Sequence, residues 1–381
     1  MMEAFGIPLL NSEGKPLETF WESIWLRVVK LRGKLYRLPG GAIGKKITAT
    51  LAEEWTCFAN KQADSDKPIC FSPLILQREK HVKKTADIRR LIDRRMKLWK
   101  DGKYTELIQE AEDCDKKLPR AVGKMSEESA IKIFTRLILQ GKIREATRFI
   151  TEREERGGVL NPYDDSGKPT GKTVLEVLKS LHPEQAEANS DAFMDCEELP
   201  ALLQVDITAG HVERVIRKLS GGAGISGVDS FQLQNLVLKY GAHSESLREA
   251  FASVIRRIAN TDVEWEDIRA LKAKRLIALD KCPGVRPVGI GEVFDRLFAK
   301  VMVLVTGDDI QEACGSDQLC SGLKAEIDGA IHAMKSLFDE NCDAGWGLLL
   351  VDASNAFNST NRPAVLWNAW FFLAKMCKIA F

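Results

Sequence analysis

The stretch Gly347-Leu-Leu-Leu-Val-Asp-Ala-Ser-Asn-Ala-Phe-Asn358 combines an apolar run with one acidic residue near the end of the chain. Leu348 to Val351 are continuously apolar, which is typical of a strand that is buried on both faces of a sheet. Asp352 follows where such a strand ends, a common place for a metal ligand or a catalytic acid. The pattern predicts a buried strand that presents Asp352, either as a functional carboxylate or as a solvated loop residue.

The composition of the whole chain is that of a globular protein without a strong overall charge. Its 381 residues, of which 45% are hydrophobic, are enough for two or three domains with a substantial core. The 55 basic and 54 acidic residues give a net charge of +1, so any surface for a polyanion must be local.

Cysteines and terminal segments indicate the cellular compartment. Nine cysteines without a CxxC pair and five scattered histidines predict reduced thiols and no zinc site. The segment Met1–Asn11 lacks the basic region of a signal peptide, and no apolar run is long enough to span a bilayer. We therefore expect an intracellular protein, in the nucleus or the cytoplasm, without a membrane partner.

Residues 78–103 carry a marked excess of basic residues. Apolar residues keep a helical period beneath these charges, so the segment is predicted to be a basic amphipathic helix. The candidate contacts to nucleic-acid phosphates are Arg89, Arg90, Arg94 and Arg95. A charged face that is simply solvated is the open alternative.

Turn signals divide the chain into three predicted segments within a mainly α fold that has a small α+β part. Residues 1–104 are expected to form a helical arm that ends with the basic helix. Residues 105–200 form a helical linker region that closes in an acidic, turn-rich connector. Residues 201–381 contain the remaining motifs.

The segment Gly221–Asp229 contains a literal G-x-G-x-x-G pattern at Gly222, Gly224 and Gly227. In a dinucleotide site this pattern follows a strand and opens a helix. Here a helical pattern precedes it, so a dinucleotide site is not favoured. We expect a turn between two helices, with exposed backbone amides that could lie against phosphates.

Two strand-like runs, Arg275–Lys281 and Val285–Ile290, flank the turn Cys282-Pro-Gly284 and predict a β-hairpin. Lys281 and Arg286 lie on either side of that turn. Two cations at a hairpin tip suit a triphosphate, because Arg offers a fixed fork of donors and Lys offers a point charge. Two ordinary exposed basic residues are the alternative.

Two further helices are predicted after the hairpin. Val293–Val305 is strongly apolar, and Gly307-Asp-Asp309 after it is expected to cap or turn the chain. Gln318–Phe338 has apolar residues at steps of three and four, which predicts another helix.

The order of these motifs resembles the reverse transcriptase of non-LTR retrotransposons, mainly over residues 221–367. The glycine-rich turn, the hairpin with Arg286-Pro-Val288, the apolar helix, the Gln-led helix and Asp352-x-x-x-Ala-Phe357 follow one another as in that family. The resemblance implies incomplete fingers and palm of an RNA-directed DNA polymerase. Its partners would be an RNA template, a DNA primer and dNTPs.

The resemblance also implies roles for individual residues. Asp352 would be the catalytic ligand of Mg²⁺, and Phe357 would lie beneath the incoming sugar as a steric gate. Lys281 and Arg286 would bind the triphosphate. Phosphoryl transfer by two metals needs at least two carboxylates, since Mg²⁺ prefers hard oxygen ligands.

The sequence departs from the family pattern at several points. Asn358 stands where the family usually has a second Asp, and Gly322 lies farther from Gln318 than in the common Gln-x-Gly pattern. No Tyr-x-Asp-Asp pair follows Trp367 within the 381 residues. We therefore expect a polymerase fragment that is inactive alone. A non-catalytic nucleic-acid-binding remnant and an inert helical scaffold are the alternatives.

Overall fold

The computed structural model of the protein describes residues 20–118, 127–151, 159–160, 171–184, 187–193, 201, 203–280, 284–315, 326–347, 349 and 351–372. These residues are mainly helical with one small antiparallel sheet, which confirms the predicted fold class at that level. The strands are β1 (Val159–Leu160), β2 (Lys274–Asp280) and β3 (Val285–Gly291). The helices are α1 (Phe20–Val28), α2 (Ala42–Ala59), α3 (Asp66–Leu76), α4 (Thr85–Lys100), α5 (Tyr104–Lys117), α6 (Glu127–Leu139), α7 (Ile143–Thr151), α8 (Val174–Ser180), α9 (Ala209–Ile216), α10 (Ser230–Leu238), α11 (Ala242–Asn260), α12 (Trp265–Lys272), α13 (Val293–Cys314), α14 (Glu326–Glu340), α15 (Ala356–Ser359) and α16 (Arg362–Phe372).

One hydrophobic core joins helices from all three predicted segments, with α5 as the contribution of residues 105–200. Helix α2 carries Ile47, Leu51, Trp55 and Phe58 at steps of four, four and three, so these buried side chains share one face. That face packs on α11 and α13, and the same core includes residues of α1, α3 to α5, α9, α10 and α12. Residues 1–104 and 201–381, which were predicted as separate segments, therefore share one core. Each amphipathic helix needs a partner for its apolar face, and here the partners come from the distant segment.

Aromatic rings form the centre of this core. The Trp55 ring centroid lies 5.7 Å from that of Phe251 on α11. It lies 5.2 Å from Phe294 and 5.7 Å from Phe298, which are both on α13. Trp55 is fully buried, so it fills the space between three helices.

Arg269 on α12 forms ion pairs with carboxylates of the N-terminal helices α1 and α3. Its guanidinium lies 2.6 Å from Glu22 Oε1 on α1 and 2.6 Å from Asp66 Oδ2 on α3. Asp66 is fully buried, and this burial raises the pKa of its carboxyl, whereas the hydrogen bond from Arg269 lowers it. Removing Arg269 would leave a buried carboxylate without its cation, which is costly in a low-dielectric interior.

The predicted β-hairpin is present. Lys274 lies opposite Gly291 and Asp280 lies opposite Val285, so β2 and β3 pair along their full length. The short strand β1, from the predicted linker region, pairs with β2 on its other edge.

Helix α8 covers one face of the hairpin. Val174 and Leu178 of α8 form a second, smaller core with Ala278 and Val285. The helix begins with a capping box, in which the Thr173 hydroxyl accepts a hydrogen bond from the Glu176 amide and the Glu176 carboxylate accepts one from the Thr173 amide. The linker region is therefore attached to the hairpin.

The paired aspartates in Gly307-Asp-Asp309 do not form the predicted turn. Helix α13 continues through them to Cys314. The buried Thr306 hydroxyl donates to the Met302 carbonyl within the helix, and the helix ends at Gly315, which has a φ of +62°. Farther on, α14 confirms the predicted helix from Glu326 to Phe338, and residues 318–325 of that prediction lie outside the described residues.

The predicted buried strand before Asp352 is wrong for the residues that are described there. Gly347, Leu349 and Val351 belong to no strand, and Leu349 and Val351 are 85% and 84% exposed. An apolar run forms a buried strand only when neighbouring strands and covering helices are available. The strands in the described part of the chain pair with one another in the hairpin sheet. Among the described helices, none is long and apolar enough to cross a bilayer.

Trp55→Ala should lower the free energy of unfolding by about 3–5 kcal/mol, because it removes the ring that fills the contact between α2, α11 and α13. Chemical denaturation of the two proteins measures this change. Trp265→Ala is the matched control, since Trp265 is 60% exposed and its loss should cost less than about 0.5 kcal/mol. A Trp55→Ala variant as stable as the wild type would contradict the shared core.

Candidate nucleic-acid and nucleotide interface

The glycine-rich turn Gly221–Asp229 joins α9 to α10, as predicted. A Cβ on Gly224 would lie 2.8 Å from the Gly291 carbonyl oxygen at the end of β3. A Cβ on Gly227, where φ is +76°, would lie 2.8 Å from the Gly33 carbonyl oxygen. These two glycines therefore allow the turn to pack directly on the hairpin and on the segment before α2.

An internal carboxylate binds part of this turn. Glu292, directly after β3, is buried. It accepts hydrogen bonds from the Ser226 amide at 2.7 Å and from the Ser226 hydroxyl at 2.6 Å. Burial raises the pKa of the Glu292 carboxyl, whereas the hydrogen bonds from Ser226 lower it. The expectation that the turn's amides are exposed to phosphates is therefore wrong at Ser226, because Glu292 occupies that position.

Two arginines connect the other half of the turn to the hairpin unit. Arg275 on β2 donates to the Ala223 carbonyl at 3.1 Å. Arg296 on α13 donates to the Gly222 carbonyl. The turn, the base of the hairpin and the start of α13 therefore form one packed unit.

Arg286 lies on β3 opposite Leu279, near the hairpin turn, and it is exposed. Its neighbour Val285 is buried against α8, as the alternation of side chains along a strand requires. Arg286 thus points away from α8 and towards solvent. Its predicted partner, Lys281, lies outside the described residues.

Asp352 is exposed and lies two residues before the turn Ser354–Asn355, which leads into α15. Asn355 in this turn adopts a φ of +54°, and its side-chain amide donates to the Leu181 carbonyl at 2.8 Å. Leu181 directly follows α8, so the turn after Asp352 and the strand that carries Arg286 both contact α8 or its C-cap residue. The side chain of Phe357 lies outside the described residues.

The surroundings of Asp352 do not supply a magnesium site within the part of the chain that is described. No group of three or more His, Cys, Asp or Glu side chains there could hold a metal ion. Asn358, whose side-chain amide donates to Asn355 Oδ1 at 2.8 Å, offers no charge. Two magnesium ions need a cluster of hard oxygen ligands, so no catalytic step is assigned to these residues.

The basic helix begins at Thr85, later than predicted, and three of its four candidate arginines are exposed. Arg89 faces solvent, and Arg90 lies 3.5 Å from Asp87 within the same helix. Arg94 is exposed but lies 2.6 Å from Glu110 on α5. Arg89 and Arg90 remain candidates for phosphate contacts, because the Asp87 partner of Arg90 is itself partly exposed on the same helix. Arg94 is instead paired with Glu110 of the neighbouring helix α5.

The assignment of Arg95 to a nucleic-acid surface is wrong. Its side chain is 1% exposed, lies 2.8 Å from Glu110, and donates to the carbonyls of Ile75 and Gln77. Trp99 on the same face is also buried, and its indole donates to Glu54 at 2.8 Å. This face of α4 packs on α3 and α5, because the helix buries the guanidinium together with its apolar stripe.

Sequence reasoning missed a second basic surface that two distant segments form together. Leu35 and Gln77 form a β-bridge, and the Arg78 amide donates to the Lys34 carbonyl at 2.9 Å. The Tyr36 hydroxyl donates to the Val82 carbonyl at 2.8 Å. The exposed cations of these two segments are Lys34, Arg37, Arg78, Lys80, Lys83 and Lys84. Local charge could reveal the run at Arg78–Lys84, but not its neighbour in space.

Gly224→Ala should lower the free energy of unfolding by about 1–3 kcal/mol, because the added methyl group meets backbone atoms of Gly291 and Glu292. Chemical denaturation measures the change. Gly222→Ala is the matched control in the same turn, since its Cβ would meet nothing within 4 Å. Equal effects of the two substitutions would argue against the close packing of the turn on the hairpin.

Comparison of the chain with protein-family models, with curated proteins and with solved structures found no match.

Proposed function

We propose that this chain is part of an RNA-directed DNA polymerase of the non-LTR retrotransposon type. In this proposal the hairpin binds the incoming dNTP, and Asp352 lies at the position of the catalytic metal ligand. The observation that supports it best is the unit formed by the glycine-rich turn, the hairpin and α13. These elements follow one another along the chain in the order of the polymerase motifs, and they pack together.

Arg286 is suited to binding a triphosphate, because it is exposed and lies on a strand that other elements hold in place. Its strand is paired on one side by β2 and is covered on one face by α8, so the guanidinium projects from a fixed backbone. A guanidinium forms charge-assisted, often bidentate hydrogen bonds to phosphate oxygens. Because the strand is already ordered, less conformational entropy is lost on binding.

Nucleotidyl transfer would use Mg²⁺ bound at Asp352 in the intact polymerase. Among the described residues no group of three or more His, Cys, Asp or Glu side chains includes Asp352, so further acidic ligands would be required for two metal ions. The function that we propose for the described residues themselves is therefore binding of nucleotide, RNA template and DNA primer.

A second candidate function is non-catalytic binding of nucleic acid. The exposure of Arg89 and Arg90, beside the basic segment Arg78–Lys84, favours it. This function would not depend on Asp352 or on a bound dNTP. It would depend on phosphate contacts, whose affinity falls steeply as the salt concentration rises.

Arg286→Gln should weaken dNTP binding by roughly ten- to a hundredfold, because a hydrogen bond to a charged group contributes about 1.5–3 kcal/mol. Calorimetric titration of the full chain with a dNTP and Mg²⁺ measures this change. Arg275→Gln is the matched control, because Arg275 is exposed at the other end of the hairpin and binds the Ala223 carbonyl.

Two results of this titration would contradict the nucleotide site. One is an equal loss of affinity in both variants, and the other is a wild-type chain that binds no dNTP. If that chain still binds nucleic acid in a salt-dependent manner, the non-catalytic function is the one that remains.

A further inference from the structure

Phe231 is a large aromatic residue that the core does not use. It lies in the first turn of α10, and this helix places Leu233, Leu236 and Val237 in the core. Phe231 itself is 47% exposed. Its ring is therefore available on the surface, next to the glycine-rich turn.

Two cations lie over the Phe231 ring. The guanidinium carbon of Arg37 is 5.2 Å from the ring centroid, and Lys239 Nζ is 5.7 Å from it. Both basic residues are exposed. Attraction between a cation and an exposed ring contributes about 0.5–1 kcal/mol, which is enough to bias both side chains towards the ring.

The backbone on either side of this cluster is held in place. Gln232 on α10 donates to the Tyr36 carbonyl at 3.0 Å, next to Arg37. The Tyr240 hydroxyl donates to the Pro39 carbonyl at 3.2 Å. Residues that are about 200 positions apart in sequence thus form one surface. A ring on a fixed backbone loses little entropy when a ligand stacks on it.

The charge around the ring favours an anionic ligand. Arg37 belongs to the segment that pairs with Arg78–Lys84 through the bridge between Leu35 and Gln77. Three stretches form this surface, namely residues 32–37, residues 78–84 and residues 229–239, which include α10. They contain two acidic residues, Glu79 and Asp229. The Asp229 carboxylate accepts a hydrogen bond from the Gln232 amide and so caps α10. The exposed basic residues in the same stretches are Lys34, Arg37, Arg78, Lys80, Lys83, Lys84 and Lys239, whereas Arg32 forms an ion pair with Asp115 of α5 at 3.0 Å.

We propose that Phe231 is a stacking platform for the bases of a single-stranded nucleic acid, whose phosphates contact Arg37 and Lys239. Stacking on an aromatic side chain requires an unpaired base, and it contributes about 1–3 kcal/mol per base. A duplex hides the faces of its bases, so the exposed ring selects a single strand. The inference deepens the proposed function, on which it rests for the class of ligand, by naming residues that hold an unpaired strand.

Fluorescence anisotropy with the full chain tests the platform. The probes are labelled oligo(U) RNA, oligo(dT) DNA and a duplex of equal length, each at several salt concentrations. The wild type should bind the single strands more tightly than the duplex. Phe231→Ala should weaken single-strand binding by roughly five- to a hundredfold with an unchanged salt slope, because it removes stacking and no charge.

The charged variant has a different signature. The logarithm of the binding constant falls linearly with the logarithm of the salt concentration, and the steepness of that line is the salt slope. The double substitution Arg37→Gln and Lys239→Gln should lower this slope by about one to two, because two phosphate contacts are lost. Phe231→Tyr keeps an aromatic ring and should keep the affinity for single strands.

Trp265→Ala is the matched control, because Trp265 is 60% exposed but lies among Glu264, Glu266 and Asp267. Circular dichroism and thermal unfolding should show that all variants are folded.

Several results would overturn the platform. If the wild type binds oligonucleotides and Phe231→Ala binds them equally well, the platform is wrong while the proposed function stands. If the wild type binds no oligonucleotide, both are wrong. If polyglutamate binds as tightly as oligo(U), the surface is a general anion site. A preference for oligo(U) over oligo(dT), or the reverse, supports the platform and identifies the strand that it takes.

Discussion

The packing of Trp55 between α11 and α13 is the contact on which the rest of the structure depends. It joins helices that are separated by about 200 residues of sequence into one core. Because α2 is fixed there, the segment before it lies against α10 and the glycine-rich turn. The cluster of Phe231, Arg37 and Lys239 exists only because this docking brings the two parts of the chain together.

Buried polar contacts determine how the surface elements are oriented on that core. Arg269 pairs with carboxylates from α1 and α3, and Glu292 binds both the amide and the hydroxyl of Ser226. A buried charge that lost its partner would remain costly, so each pair favours one arrangement. The hairpin that carries Arg286 is therefore held in one position relative to the glycine-rich turn. The better-formed part of the proposed polymerase site is its nucleotide and nucleic-acid side, since the described residues do not form a metal-binding cluster around Asp352.

Local patterns were sufficient for the hairpin, the glycine-rich turn and most helices, because periodicity, glycine and proline act over a few residues. They were insufficient where a distant partner decides the outcome. Arg95 has the same local pattern as Arg94, yet α5 and the end of α3 enclose it. Leu349 and Val351 have no neighbouring strand in the described part of the chain that would bury them. The role of Phe231 depends on Arg37, which no spacing rule connects to it.

Photo-crosslinking of a single-stranded RNA that contains 5-iodouridine tests the central claim most directly, because it locates the bound strand on the folded chain. After digestion, mass spectrometry identifies the peptides that carry a crosslinked nucleotide. The account predicts crosslinks at Phe231 and in the two segments that contain Arg37 and Lys83. Crosslinks confined to regions outside these segments, such as α6 and α7, would contradict it.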